Sequence, residues 1–202
     1  MDVMERSQSG WESGLTPSER TCLFQIAHDA LSGCVQHPQQ GLPWAVYDLT
    51  EALRTHRACF VTLHLASGAL RGCIGNLEPV GPLYQAVYDN TVAAALQDPR
   101  FTPVRADELP GIDLTVSILS PSQPVAGAAD FVPGEHGIII EKKGRRAVFL
   151  PEVAAEQGWT RAETLRALCQ KAGLPEQAWE ADMHFSIFHT AILSGLASCG
   201  DA

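Results

Sequence analysis

Two stretches of the sequence follow the same plan, and their arrangement limits what this chain can fold into. FVTLHLASGALRGCIG starts at Phe60, and GIIIEKKGRRAVFLP starts at Gly137. Each carries an apolar strand, a glycine-bearing turn, a basic residue and a second strand, and a proline-led helix follows. Strands and helices in this order, without regular alternation, favour an α+β fold over a doubly wound parallel sheet. The similarity predicts two duplicated β–α units.

Local signals mark where the remaining elements begin. Helix starts are indicated by capping boxes or by a leading proline at Thr16/Glu19, Asp48/Glu51, Pro82, Pro151 and Thr160/Glu163. HFSIFHTAIL, from His184 to Leu193, predicts one final strand. Because residues 1–15 are rich in Ser, Gly and Glu, we expect them to form a disordered tail. A single domain is predicted over residues 16–195, with a second tail over residues 196–202.

Charge and composition exclude several classes of protein. Apolar residues make up 46% of the chain and charged residues 18%, which is typical of a globular protein. The formal net charge is −9, which argues against a general nucleic-acid or anionic-membrane surface. The basic turn Lys142–Arg146 leaves two interpretations open, a local basic patch and a solvated turn, and the turn is favoured.

The cysteines and the amino terminus indicate a reduced, cytoplasmic protein. The six cysteines are widely and irregularly spaced, and no C-x-x-C pair occurs among them. The first residues, MDVMERSQSGWESG, are polar and do not resemble a signal peptide. No stretch approaches the roughly 20 apolar residues that a membrane-spanning helix needs. We expect no membrane association.

LRGCIG, from Leu70 to Gly75, is an unusual sequence for a strand. Alternation along a strand places Arg71, Cys73 and Gly75 on one face. A guanidinium beside a thiol favours the thiolate, and Gly75 leaves space on the same face, which together predict a reactive cysteine in a small pocket. The alternative is a buried cysteine that packs as a small apolar side chain, with Arg71 paired to a carboxylate elsewhere.

Histidine is the natural partner of a reactive cysteine, and His136 is the best placed because glycines flank its GEHG turn. A capping or turn role for His136 is equally open. Asn90 falls on the apolar face of the predicted third helix, where it either bonds a buried backbone group or lines a pocket. No phosphate-loop, dinucleotide or H-E-x-x-H motif occurs, and metal-ligand spacing is missing. We therefore expect no metal and no cofactor.

Several segments together resemble the AMMECR domain family, whose bacterial members include the AmmeMemoRadiSam system protein A group. The resemblance is carried in order by FVTL, LRGCIG, DPRFTPV, VSIL, EHGIII, GRRAVFLPEVAAEQGW and LCQKAGL, which span nearly all of residues 20–190. LRGCIG is the most recognisable of these motifs. The chain departs from the family pattern at Ala147 and Glu152, where GRRG and LPQV are frequent.

The resemblance implies an α+β fold in which two β–α structural repeats share one barrel-like mixed sheet with flanking helices. It also implies a genomic association with a Memo-like protein and a radical S-adenosylmethionine (SAM) protein, but it does not imply a defined activity.

Two functions follow as hypotheses. The first is a cysteine-dependent enzyme acting with these partners, with Cys73, Arg71 and His136 as candidate catalytic residues. The second is a non-catalytic binding or adaptor module that presents LRGCIG to a partner protein or to a small-molecule ligand that the sequence leaves unidentified. Candidate binding residues for either function are Gly72, Gly75, Asn90, Arg100 and Arg146.

Overall fold

The computed structural model describes residues 3–7 and 9–195 of the chain, and their helices and strands follow most of the sequence predictions. The helices are α1 (Pro17–Gln36), α2 (Glu51–Arg54), α3 (Leu83–Leu96), α4 (Pro151–Gln157) and α5 (Arg161–Lys171). The strands are β1 (Met4–Arg6), β2 (Cys59–Leu65), β3 (Leu70–Gly75), β4 (Ile112–Leu119), β5 (Gln123–Val125), β6 (Gly137–Lys142), β7 (Arg145–Phe149), β8 (His184–Phe188) and β9 (Thr190–Gly195).

The strands form two antiparallel sheets, which confirms the α+β class. The first sheet has the order β1-β9-β4-β2-β3, and the second has the order β5-β8-β6-β7. The expected single barrel-like mixed sheet is not confirmed. In each repeat, the strand that follows the helical segment pairs with the first strand of its own hairpin: β4 with β2, and β8 with β6. Each hairpin therefore builds its own sheet.

The described residues pack as two compact units. The first unit contains residues 3–6, 12–119 and 191–195, and the second contains residues 7, 9–11 and 120–190. Neither unit is continuous in sequence. The expectation of a single cooperative domain over residues 16–195 stays a prediction.

In the first unit, α1 and α3 pack together and cover one face of the sheet. The start of α1 is the predicted capping box, in which the Thr16 hydroxyl accepts the Glu19 N–H and the Glu19 carboxylate accepts the Thr16 N–H. The core joins apolar residues of both helices to the inward face of the sheet, including Leu23, Ala27, Val61, Leu63, Leu83, Val87 and Val116. Each fully buried leucine contributes about 1.5–3 kcal/mol to folding.

In the second unit, α5 covers the sheet. It begins at the predicted capping box of Thr160 and Glu163. Its buried face is formed by Leu165, Leu168 and Cys169, which belong to the same apolar cluster as Ile138 and Ile140 of β6.

The amino-terminal segment differs from the predicted disordered tail. Residues 4–6 pair with β9, and the Glu5 carboxylate accepts hydrogen bonds from Ser13 N–H at 2.7 Å and from Arg20 at 2.9 Å. These contacts hold the segment in place through Glu5. Nothing in the composition of the predicted tail marked this glutamate as a residue that binds the rest of the unit. The predicted tail over residues 196–202 lies outside the described residues, as do residues 1, 2 and 8.

Two boundary predictions are wrong. The predicted strand His184–Leu193 breaks at His189, whose N–H donates to Ser120 Oγ at 3.0 Å and whose carbonyl accepts the Ser120 N–H at 2.9 Å. The segments on either side of this residue pair in different sheets. The second helix begins at Glu51, not at Asp48, and the hydroxyl of its N-cap Thr50 donates to Glu19 Oε1 at 2.6 Å.

No helix in the described part of the chain is both long and apolar enough to cross a bilayer.

Candidate functional site

The LRGCIG sequence forms β3, the edge strand of the first sheet. The strand pairs with β2 through Gly72, Cys73, Ile74 and Gly75, but the register shifts where Leu70 pairs with His64. Arg71 is therefore the extra residue of a β-bulge, and a bulge redirects the side chain at that position. The simple alternation expected from the sequence does not extend through Arg71.

The hydrogen bonds of the Arg71 guanidinium join it to other residues of the first unit. Its Nε and Nη2 donate to the two carboxylate oxygens of Glu108 at 2.8 and 3.0 Å. Its remaining donors reach the carbonyls of Thr102 at 2.9 Å and Pro103 at 3.3 Å. The residue is 7% exposed. The pair with Glu108 is the one that the alternative expectation gave to Arg71, but the buried cysteine of that alternative is not seen, because Cys73 is only partly buried. The pair fastens the segment after α3 to the edge strand.

Asp98 and Arg100, from the DPRFTPV segment, hold the backbone of Cys73. The Cys73 N–H donates to Asp98 Oδ2 at 2.9 Å, and the Cys73 carbonyl accepts from Arg100 Nη2 at 3.2 Å. Asp98 in turn accepts from Arg100 Nε at 2.9 Å and Nη2 at 2.7 Å. We call these three residues the edge clamp. It occupies both backbone groups that Cys73 directs away from β2.

Charge in the edge clamp is balanced internally. Hydrogen bonds from Arg100 hold the pKa of the buried Asp98 carboxyl far below its ordinary value. The pKa of Arg100 is raised, chiefly by its hydrogen bonds to Asp98 and to a smaller extent by Cys73. Arg71 likewise lowers the pKa of Glu108. Both arginines are therefore fixed cations, and only Arg100 directly contacts Cys73.

The two glycines of the motif are explained by close packing. A Cβ on Gly72 would lie 2.3 Å from the carbonyl oxygen of Ala94, so the missing side chain lets α3 approach the strand. A Cβ on Gly75 would lie 2.3 Å from the ring of Phe60, the residue that pairs with it on β2. An aromatic side chain covering a cross-strand glycine in this way stabilises an edge strand.

The Cys73 thiol lies on the sheet face opposite α3. It accepts a hydrogen bond from Thr62 Oγ1 at 3.4 Å and is partly exposed. Thr62 pairs with Cys73 on one side and with Thr115 of β4 on the other, so the three side chains share one face. We call these three residues the thiol row.

Asn90 is a buried residue of α3 that serves the core. Its amide donates to the Cys59 carbonyl at 3.1 Å, and its Oδ1 accepts from Asn76 at 3.4 Å. These bonds tie α3 to the chain at the start of β2 and just after β3. Of the two roles that the sequence left open, the structure shows the bond to a buried backbone group.

His136 lies in the second unit and is part of a turn. Its Nδ1 accepts the Val132 N–H at 3.1 Å, and its ring centroid is 5.0 Å from that of His189. Burial lowers the pKa of His136, and the neighbouring His189 lowers it further, while the nearby Glu135 opposes the shift.

Arg146 also lies in the second unit, on β7, where it is exposed and stands opposite Glu141 of β6 in the strand register. The structure brings Arg71, Gly72, Cys73, Gly75 and Arg100 together in the first unit. An approach of His136 or Arg146 to Cys73 stays a prediction.

Three contributors to the site were not identified from the sequence. Asp98 and Glu108 neutralise the two arginines, and Thr62 bonds the thiol. Asp98 could have been found, because an Asp-Pro-Arg sequence at a helix end places a carboxylate beside a guanidinium. Glu108 carried no such local signal. Among residues 3–7 and 9–195, no three His, Cys, Asp or Glu side chains are arranged to hold a metal ion.

Comparison with known proteins agrees with this architecture. The sequence model described as AMMECR1 matches residues 24–193. Protein Mbar_A1807 of Methanosarcina barkeri is 37% identical over 93% of this chain and 95% of its own length. A Thermotoga maritima protein is 40% identical over 77% of this chain and 84% of its own. The crystal structure of the uncharacterized protein PH0010 from Pyrococcus horikoshii superposes with a TM-score of 0.78 at 32% identity, covering 84% of this chain and 88% of that one. The chain belongs to the AMMECR1 family.

Proposed function

We propose that this protein is a non-catalytic binding module that presents the thiol row of its first sheet to a partner protein. The observation that carries the proposal is the engagement of Arg71. Its guanidinium is bound by Glu108 and two carbonyls, so it is not available to activate a thiol or to hold a substrate anion. A catalytic interpretation would need a free Arg71, but this arginine instead helps to build the edge of the first sheet.

The edge clamp favours binding of a partner to the face of the first sheet over pairing of a partner strand with the edge strand β3. An edge strand normally offers its free N–H and C=O groups to another strand. At Cys73, both groups are already bonded to Asp98 and Arg100. A partner strand therefore cannot add to the sheet at this residue. The groups at Cys73 that stay available to a partner are therefore side chains.

The thiol row is suited to recognition by a preorganised surface. Two hydroxyls and one thiol lie on adjacent strands whose backbones are fixed by regular pairing. Side chains held in this way lose little conformational entropy when a partner binds.

The resemblance to the AmmeMemoRadiSam group supplies the candidate partners, a Memo-like protein and a radical SAM protein. Isothermal titration calorimetry of the intact chain against each purified protein tests the proposal. We expect one of them to bind with 1:1 stoichiometry. Thr62→Lys should weaken binding at least tenfold, whereas Cys73→Ser, which removes a nucleophile and keeps a small polar group, should leave binding within about twofold.

Ser67→Lys is the matched control, because Ser67 lies in the exposed turn of the same hairpin and the charge change is identical. Circular dichroism of each variant checks that the sheet is formed. The absence of binding to both proteins, or equal losses from Thr62→Lys and Ser67→Lys, would contradict the proposal.

The enzyme hypothesis retains one favourable observation. Arg100 Nη2 donates to the Cys73 carbonyl at 3.2 Å, so a guanidinium contacts the backbone of the thiol-bearing residue, although Asp98 balances its charge. If Cys73 acts as a nucleophile, Arg100 and not Arg71 is the arginine that contacts its residue. Replacing Arg100 therefore separates the two functions when the rate of Cys73 alkylation is measured.

A further inference from the structure

Four aromatic side chains form a cluster on the outer side of α3, within the first unit. Trp44 contacts Tyr84 and Tyr88 edge-on, with ring centroids 5.2 and 5.3 Å apart, and lies 6.1 Å from Tyr47. All four residues are only partly buried. We call Trp44, Tyr47, Tyr84 and Tyr88 the aromatic patch. It lies on the helix side of the sheet, whereas the thiol row lies on the opposite face.

Apolar side chains next to the aromatic patch in sequence are strongly exposed. Val46, between Trp44 and Tyr47, is 71% exposed, and Val80, just before α3, is 65% exposed. They are the two most exposed of the large apolar residues in the described part of the chain. A single exposed valine needs no explanation, but two that lie within four residues of the clustered aromatic side chains in sequence favour a surface that another molecule covers.

Acidic residues lie beside the aromatic patch, and the arginine nearest to it in sequence, Arg54, hydrogen-bonds the Leu49 carbonyl at 2.9 Å. The exposed residues Asp48 and Asp89 directly follow Tyr47 and Tyr88, and the Tyr47 hydroxyl donates to Asp29 at 2.7 Å. Residues 29–50 and 72–99, which carry the patch, contain no Lys or Arg. Aromatic faces beside carboxylates are the surroundings that a guanidinium favours, because it stacks on rings and pairs with carboxylates at the same time.

We infer that the aromatic patch is a docking surface for an arginine-bearing segment of a partner protein. A guanidinium stacks against the Trp44 and tyrosine rings while Asp48 and Asp89 supply the negative charge. This surface is a second one, independent of the thiol row. Two other occupants fit less well. Anionic lipid is repelled by the acidic rim, and a twofold contact between two copies would bring identical acidic segments together.

Fluorescence anisotropy with labelled peptides tests the inference on the intact chain. The probes are a nine-residue peptide of alternating Arg and Ala, and the same peptide with Lys or with citrulline in place of Arg. We expect saturable binding of the Arg peptide, several-fold weaker binding of the Lys peptide, and none of the citrulline peptide. Tyr88→Leu, which keeps an apolar side chain and removes the aromatic ring, should weaken binding of the Arg peptide at least threefold.

A pair of charge-matched variants separates the patch from the overall negative charge. Asp48→Asn/Asp89→Asn should weaken binding of the Arg peptide at least fivefold. Glu141→Gln/Glu156→Gln neutralises two exposed acids of the second unit and should change it less than twofold. Equal losses in the two double variants, or no binding of the Arg peptide at millimolar concentration, would overturn the inference. So would a dimer in analytical ultracentrifugation that Val46→Asp dissociates, because a second copy would then be the occupant.

Discussion

Arg71 can stay charged although it is buried, because Glu108 and two peptide carbonyls accept its hydrogen bonds. Removing one member of a buried, hydrogen-bonded ion pair leaves the other without compensation, and such losses are commonly about 3–5 kcal/mol. Glu108 is 27% exposed, so water can relieve part of this cost. We therefore expect Arg71→Ala to lower the free energy of unfolding by about 2–3 kcal/mol, measured by urea denaturation.

Arg105 provides the control for Arg71. It pairs with Asp107 at the surface, where both side chains are largely exposed. Exposed pairs contribute little to stability because solvent screens them. Arg105→Ala should leave the unfolding curve unchanged. Equal stability of Arg71→Ala and Arg105→Ala would contradict a structural role for Arg71.

His136 makes stability depend on pH. Its pKa is lowered in the folded chain, chiefly by burial, so the unfolded chain binds more protons near pH 6. The stability that the neutral ring contributes is complete above the unfolded pKa of about 6.5 and is lost as the pH falls through and below that value. The facing groups Glu135 and His189 act in opposite directions on this pKa, and Glu135 limits the shift.

The measurement for His136 is the free energy of unfolding from pH 7.5 to pH 5. His136→Asn keeps an acceptor for the Val132 N–H and removes the titration, so it should flatten the pH dependence. His37→Asn, at an exposed position, should leave the slope as in the wild type. A slope that is unchanged in His136→Asn would show that other groups control it.

Among the elements, the contact between α3 and β3 depends on a single missing side chain. A Cβ at Gly72 would lie far inside the contact distance of the Ala94 carbonyl, and both atoms belong to backbone that is fixed by secondary structure. Overpacking of this kind costs about 1–3 kcal/mol. We expect Gly72→Ala to lower the free energy of unfolding by this amount and to lower the midpoint of thermal unfolding.

Gly33 is the matched control for Gly72. It lies within α1, and a Cβ there meets no atom within 4 Å. Replacement of a helical glycine by alanine stabilises a helix by up to about 1 kcal/mol. Gly33→Ala should therefore raise stability. If Gly72→Ala also raised it, the close approach of α3 to the strand would be disproved.

Local signals predicted the elements well, and distant contacts explain where prediction failed. The capping boxes at Thr16 and Thr160, the two hairpins and α3 follow from residues within a few positions of one another. The partner of Arg71 lies far along the chain, and a bulge that sequence alternation does not reveal redirects its side chain. The break at His189 depends on Ser120, from another part of the chain. The residues of the motif could thus be identified from sequence, but not the roles of all of them.

For the whole molecule, the order of the strands predicts cooperative folding. β9 comes after the second unit in sequence, yet it lies between β1 and β4 in the first sheet. The first sheet therefore cannot be completed until the chain has passed through the second unit. We expect both sheets to unfold at one urea concentration, as measured by hydrogen exchange and mass spectrometry of peptides from β2 and β6. Separate midpoints, or limited proteolysis that releases two stable halves by cutting within residues 121–134, would contradict this prediction.

The central claim is that LRGCIG builds a rigid binding surface and not a reactive thiol. The most direct test is the rate at which iodoacetamide alkylates Cys73 at pH 7, measured by peptide mass spectrometry in the native chain and in the urea-unfolded chain. A binding module predicts a native rate no higher than the unfolded rate, with little change in Arg100→Ala. A native rate at least tenfold above the unfolded one, lost in Arg100→Ala and kept in Arg105→Ala, would contradict the claim and identify Cys73 as a nucleophile.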